Sequence, residues 1–161
     1  MSLFKRKTED FLYSPVKGSL LKLENVKDTV FSQKLLGDGV ACLPEKDVIY
    51  SPCNGKITMI AETFHAFGIT AVSGAEILVH VGLDTVNLNG EGFQVLVEAG
   101  QKIKAGMPVL KLDLALMREK NIDLTIPVIV TNSDEYIMDI LQEEGETEPQ
   151  TKIIKIVKNR K

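Results

Sequence analysis

The chain has 161 residues, 44% of them apolar and 25% charged, and its 19 basic against 22 acidic side chains leave a formal charge of −3. That size and composition predict one globular domain with a sizeable core, and the mild acidity excludes a protein built around phosphate contacts to nucleic acid. No apolar run reaches the roughly 18 residues needed to cross a bilayer, and the start Met1 to Lys7 leads into charge instead of a signal-peptide stretch, so a cytoplasmic protein is expected.

Residues 1–18 are polar, mixed in charge and end in Ser14-Pro15-Val16-Lys17-Gly18, which is turn chemistry. They read as a flexible tail preceding a single domain over residues 19–161. Within the tail, Leu3, Phe4, Lys5, Arg6 and Lys7 suit at most a weak contact with an anionic membrane. Short apolar runs cut by Gly, Pro, Asn and Asp then follow: Leu20 to Leu23, Val40 to Leu43, Val48 to Tyr50, Lys56 to Ile60, Ala66 to Thr70 and Ile77 to Val81. The series continues with Phe93 to Val97, Val109 to Leu112, Ile126 to Val130 and Ile153 to Val157. Brief β-rich runs at this spacing predict an all-β, antiparallel sandwich or barrel-like domain.

Two short helices are expected. Leu114 to Lys120 has good helix formers and a cationic end, and Asn132-Ser133-Asp134-Glu135 resembles an N-cap with first-turn acids ahead of Tyr136 to Leu141. Gln142 to Pro149 reads as a solvated loop whose glutamates are surface charge. Segments 51–57 and 97–110 echo one another as a Gly-containing turn entering a strand, a pattern shared with biotinyl and lipoyl carrier modules. Cys42 and Cys53 lack C-x-x-C spacing and read as reduced, core or near-core thiols.

Only two histidines are present, His65 and His80, both in the most strand-like part of the chain. The runs 64–70 and 76–82 flank Ala71-Val72-Ser73-Gly74-Ala75, a turn-competent connector, and so predict a hairpin. A turn at residues 72–73 would set His65 opposite His80, and one at residues 73–74 would set it opposite Gly82. Either register puts the two imidazoles on one sheet face, roughly 5 to 8 Å apart at Cβ, unless a bulge intervenes.

Three roles are open to such a pair: core histidines satisfied by backbone carbonyls, two ligands of a metal, or a nucleophile and a donor for a phosphoryl group. For the last, imidazole near its unperturbed pKa of about 6.5 is largely neutral, so a ring nitrogen can attack without an activating base. The bend at Gly82 could offer a carbonyl to hold the other ring nitrogen as N–H. Thr63, two residues before His65, could orient that ring through its hydroxyl.

The blocks Gly37-Asp38-Gly39-Val40-Ala41, Glu62-Thr63-Phe64-His65-Ala66-Phe67, Val79-His80-Val81-Gly82-Leu83-Asp84-Thr85-Val86 and Gly90-Glu91-Gly92-Phe93 resemble the glucose-type IIA component of the bacterial phosphoenolpyruvate-dependent sugar phosphotransferase system. The resemblance runs from about Leu20 to Val157. It implies an antiparallel β-sandwich and a phosphotransferase component that works as a phosphocarrier without a cofactor. His80 would accept the phosphoryl group from the phosphohistidine of HPr and pass it to a cysteine on the IIB domain of a sugar permease. His65 would stabilise the phosphate oxygens and Thr63 would orient His65. Val30, Phe31, Leu36, Val40, Phe67, Leu78 and Val86 would form a shallow apolar surface for partners, with Asp84 at its rim.

Phe64 stands where the family often has a polar residue, a departure expected to bear on partner preference and not on chemistry. The resemblance further implies a monomer, either a stand-alone carrier or a domain cut from a fused permease. Regulatory protein targets are also implied, as is zinc capture by His65 and His80 with a partner's carboxylate. Two rivals lack residues they need: a biotinyl or lipoyl module its Met-Lys-type hairpin tip, and a zinc hydrolase its remaining ligands. A purely regulatory binding module overlaps with the carrier reading.

Overall fold

Where β-branched and aromatic runs are punctuated by glycine and proline, the chain pleats. The computed structural model describes residues 9–159. Its strands are β1 (Glu9–Tyr13), β2 (Gly18–Lys22), β3 (Asp38–Pro44), β4 (Val48–Tyr50), β5 (Gly55–Ile60), β6 (Ala66–Ala71), β7 (Glu76–His80) and β8 (Phe93–Val95). They continue with β9 (Lys102–Ile103), β10 (Pro108–Leu112), β11 (Ile126–Val130), β12 (Tyr136–Ile140), β13 (Gly145–Thr147) and β14 (Lys152–Lys158), and two short helices are α1 (Thr29–Ser32) and α2 (Leu114–Glu119). The pairings are antiparallel, forming sheets ordered β1-β14-β12, β4-β10-β8 and β13-β2-β3-β11-β7-β6-β5-β9. The expected antiparallel β-sandwich class is therefore what the chain adopts.

The large sheet is apolar on both faces where the site lies. Val40, Val128, Val79 and Phe67 point into the main core. On the opposite face, Ala41 and Ile129 join Leu23, Val26, Phe31 and Leu83 in a second, smaller cluster against which Leu78 packs. All five residues of β11 are consequently buried, which is why that run shows no alternation. Phe31 of this second cluster packs against the ring of His80.

Several expectations require correction. The tail does not extend to residue 18: β1 pairs with β14 from Glu9↔Val157 to Tyr13↔Lys152, and Leu12 and Val16 are fully buried. Leu3, Phe4, Lys5, Arg6 and Lys7 lie outside the described residues. The expected helix from Tyr136 is a strand. The cap-like Asn132 initiates only a 3-10 turn, Ser133–Glu135, and period-two alternation then takes over, with Tyr136, Met138 and Ile140 packed on the core and Ile137 62% exposed. Part of the solvated loop, Gly145–Thr147, adds to the edge of β2.

Other expectations match the structure. Cys42 and Cys53 are free and buried, and burial pushes both thiols well above their ordinary range. The two echoing segments lie side by side, with Gly55 paired to Ile103 and Lys56 to Lys102. Among the described residues, no helix is long and apolar enough to cross a membrane.

Candidate functional site

The hairpin β6–β7 sets the register of the site. Its loop holds three residues, because Ala71 N–H donates to the Ala75 carbonyl and Gly74 N–H to that of Ala71, with Gly74 at φ +92°. That odd loop pairs Ala66 with His80 and Phe67 with Val79. Both even-loop registers expected from sequence are therefore off by one residue. His65 falls opposite Val81, whose N–H donates to the His65 carbonyl at 2.6 Å, and strict pleating would aim the two imidazoles at opposite faces.

They meet nonetheless, with ring centroids 5.1 Å apart and planes at 74°. The reason is Phe64, which adopts φ +62° just before β6 begins. Ala61 N–H donates to the Ala66 carbonyl and Phe64 N–H to the Ala61 carbonyl, so residues 61–66 form a closed turn outside the pleat. The turn swings Thr63 and His65 toward the face that carries His80. Their side chains are joined at 2.6 Å between Thr63 Oγ1 and His65 Nδ1.

His80 ends β7, on the face shared with its partner Ala66 and with Leu78. Its Nδ1–H donates to the Gly82 carbonyl oxygen at 2.7 Å. Since a carbonyl only accepts, the neutral ring carries its proton on Nδ1 and leaves an electron pair on Nε2. The bend that supplies this carbonyl is held twice: Leu83 N–H donates to Asp123 O at 2.9 Å, and buried Thr85 donates its hydroxyl to Val81 O at 2.7 Å. Phe31 of α1 also packs against the His80 ring, centroids 5.1 Å apart.

Burial lowers the pKa of both imidazoles, and the neighbouring His80 lowers that of His65 further. For His80 the effect is opposed by the Gly82 carbonyl and by the charges of Asp28 and Asp84. Asp28 caps α1, its carboxylate accepting from Val30 N–H at 2.9 Å. Among the described residues, no group of three or more His, Cys, Asp or Glu side chains is placed to hold a metal ion.

Of the side chains expected to face partners, Val30, Leu36 and Val86 are 39%, 42% and 47% exposed; Asp84 is exposed and Leu78 half-buried. Val40 and Phe67 must be withdrawn from that surface, since each points into the main core. Phe31 is buried as well, and its contact is with the His80 ring. Sequence reasoning missed Asp28 and Leu35 (66% exposed), and it singled out Phe64 without its left-handed backbone. The sequence Asp28-Thr29-Val30-Phe31 did carry an N-cap signal for α1. A cavity of about 680 Å³ between Tyr13, Tyr50, Asn54 and Pro149 has neither histidine in its lining.

Residues 10–136 match the family described as phosphoenolpyruvate-dependent sugar phosphotransferase system, EIIA 1. The glucose-specific EIIA component of Staphylococcus epidermidis is 43% identical over 124 residues, covering 77% of this chain and 75% of the relative. The beta-glucoside-specific EIIBCA component of Bacillus subtilis is 40% identical over 91% of this chain, which spans only 24% of that longer protein. The solved glucose permease IIA from Mycoplasma capricolum superposes with a TM-score of 0.85 at 34% identity, covering 96% of this chain and 99% of its own. The chain belongs to the EIIA type 1 family of the sugar phosphotransferase system.

Proposed function

We propose, from that membership, that the chain carries a phosphoryl group on Nε2 of His80, taking it from phospho-HPr and handing it to the IIB domain of a sugar permease. The observation that carries this reading is the Nδ1–H bond from His80 to Gly82, which leaves Nε2 unprotonated beside a second imidazole. In the first step the Nε2 electron pair attacks phosphorus in line. The new N–P bond forms as the donor's N–P bond breaks, and that electron pair returns to the donor imidazole. In the second step a IIB thiolate attacks the same phosphorus, and His80 leaves as a neutral ring still held by Gly82.

His65 supplies an N–H to the phosphate oxygens. In this reading the Thr63 hydroxyl, 2.6 Å from Nδ1, donates to it, so that the neutral ring of His65 bears its proton on Nε2 and offers it to a phosphoryl group on its neighbour. Exposed apolar side chains at Val30, Leu36 and Val86 suit brief docking of two different partners on one surface. Both partners, and the transfer between them, belong in the cytoplasm. No cofactor is required; zinc binding by the two imidazoles would need a carboxylate brought by a partner.

The test is intact-protein mass after incubation with phosphoenolpyruvate, enzyme I and HPr, with half the sample treated briefly with acid. An HPr-dependent, acid-labile phosphoryl adduct that is absent from His80→Ala is the expected result. A His80→Ala protein phosphorylated at the wild-type rate would overturn the assignment of the nucleophile.

A further inference from the structure

Left-handed backbone is rare for a bulky side chain, because it crowds Cβ against the neighbouring carbonyl oxygen. Phe64 adopts it at φ +62°, between the two residues whose side chains form the Thr63–His65 hydrogen bond. Something must hold it there. Its ring lies on Gly90, where a Cβ built on the glycine would come within 3.3 Å of Phe64 Cδ2. Gly90 itself stands at φ +90°, in the turn that follows the 3-10 segment Thr85–Leu88 downstream of His80. The ring also lines an apolar pocket whose other walls include Ile60, Phe67 and Leu110, so leaving this seat would return apolar surface to water.

From this contact we infer that Phe64 is a positioning residue for phosphoryl transfer: its ring ties the turn carrying Thr63 and His65 to the loop that leaves His80, and so sets the separation of the two imidazoles. The inference rests on the phosphocarrier reading for its kinetic consequence but not for its geometric one. It also departs from the expectation that Phe64 acts on partner choice alone. The ring is 40% exposed, yet its inner face is occupied by Gly90. An anchor reserved for a partner would need no such seat and no strained backbone.

The test uses Phe64→Gly, which relieves the backbone strain and so keeps the fold, and Phe64→Tyr, which keeps the ring. Transfer from phospho-HPr is measured for each. Phe64→Gly is expected to lower kcat roughly tenfold, part of the ~100-fold loss that a 1 Å misplacement can cause, with KM for phospho-HPr unchanged, while Phe64→Tyr restores the rate. Gly90→Ala should impair the wild type more than the Phe64→Gly background, because the left-handed strain at residue 90 is common to both and cancels in the cycle.

In the same proteins, NMR contacts between the ring protons of His65 and His80 should weaken in Phe64→Gly and persist in Phe64→Tyr. A raised KM with unchanged kcat would overturn the inference in favour of docking. Unchanged kinetics, or ring contacts unaffected by Phe64→Gly, would overturn it outright. Were the wild-type chain to accept no phosphoryl group, the phosphocarrier reading would fail, and the ring contacts alone would decide the positioning role.

Discussion

The α-carbon of Gly82 faces the side chain of Thr85 so closely that a Cβ added there would stand 2.5 Å from the Thr85 methyl group. Thr85 cannot turn away without giving up its hydroxyl bond to Val81 O. Gly82 also stands at φ +89°, so Gly82→Ala combines a clash with a strained backbone and should cost about 1–3 kcal/mol. The same change moves the carbonyl that holds the His80 proton. Denaturant unfolding checks the first effect, and the ¹⁵N shifts of the His80 ring, with more of the other tautomer expected, check the second.

His65→Ala removes a half-exposed side chain that fills no core space, so stability should change by less than about 0.5 kcal/mol. Phosphoryl transfer should fall by about 10²- to 10³-fold, the usual loss for one preorganised donor to a developing charge. Thr63→Val keeps the side chain's shape and removes only its hydroxyl. The loss of one neutral hydrogen bond, about 0.5–1.5 kcal/mol, predicts a roughly twofold to thirteenfold slower transfer. Rapid-quench transfer from phospho-HPr ranks the two variants, and a Thr63→Val defect as deep as that of His65→Ala would show that Thr63 does more than orient the ring.

Much of this was legible because glycine and proline punctuate the strands: Val48–Tyr50 and Ile126–Val130 were readable to the residue. β1 was not, since Glu9-Asp10-Phe11-Leu12-Tyr13 earns its place by pairing with β14, more than a hundred residues away in the chain. The nearness of His65 and His80 was foreseen through a register that the structure does not have. A one-residue slip, caused by the three-residue loop, is undone by the left-handed turn at Phe64. Neither is visible in a sequence, because a phenylalanine gives no sign of positive φ and Ser73-Gly74 fits loops of two or three residues alike.

Both histidines hold their pKa below the ordinary 6.5, chiefly through burial. As the proposed nucleophile, His80 is therefore expected to be neutral through the physiological range, and transfer should be flat with pH near neutrality and fall only in acid below the usual imidazole range. Stability follows the same sign. Between 6.5 and the lowered folded values the unfolded chain binds more protons, so this contribution is full above pH 6.5 and is lost as pH falls through that window. His80→Gln cannot titrate, and its urea midpoint should drop less than that of the wild type between pH 7 and pH 5.

Asp28 separates charge from structure by the choice of replacement. Its carboxylate both caps α1 through Val30 N–H and favours the protonated form of His80. Asparagine is an equally good N-cap, so Asp28→Asn should leave stability nearly unchanged while lowering the His80 pKa further, which NMR titration reads directly. Alanine loses the cap as well, at about 0.5–2 kcal/mol, and frees α1 to shift Phe31 from the His80 ring it packs against. Asp28→Ala should therefore slow transfer more than Asp28→Asn at neutral pH, where the charge on His80 is absent in either variant. Equal rates in the two would mean that the packing of Phe31 on His80 contributes nothing to its orientation.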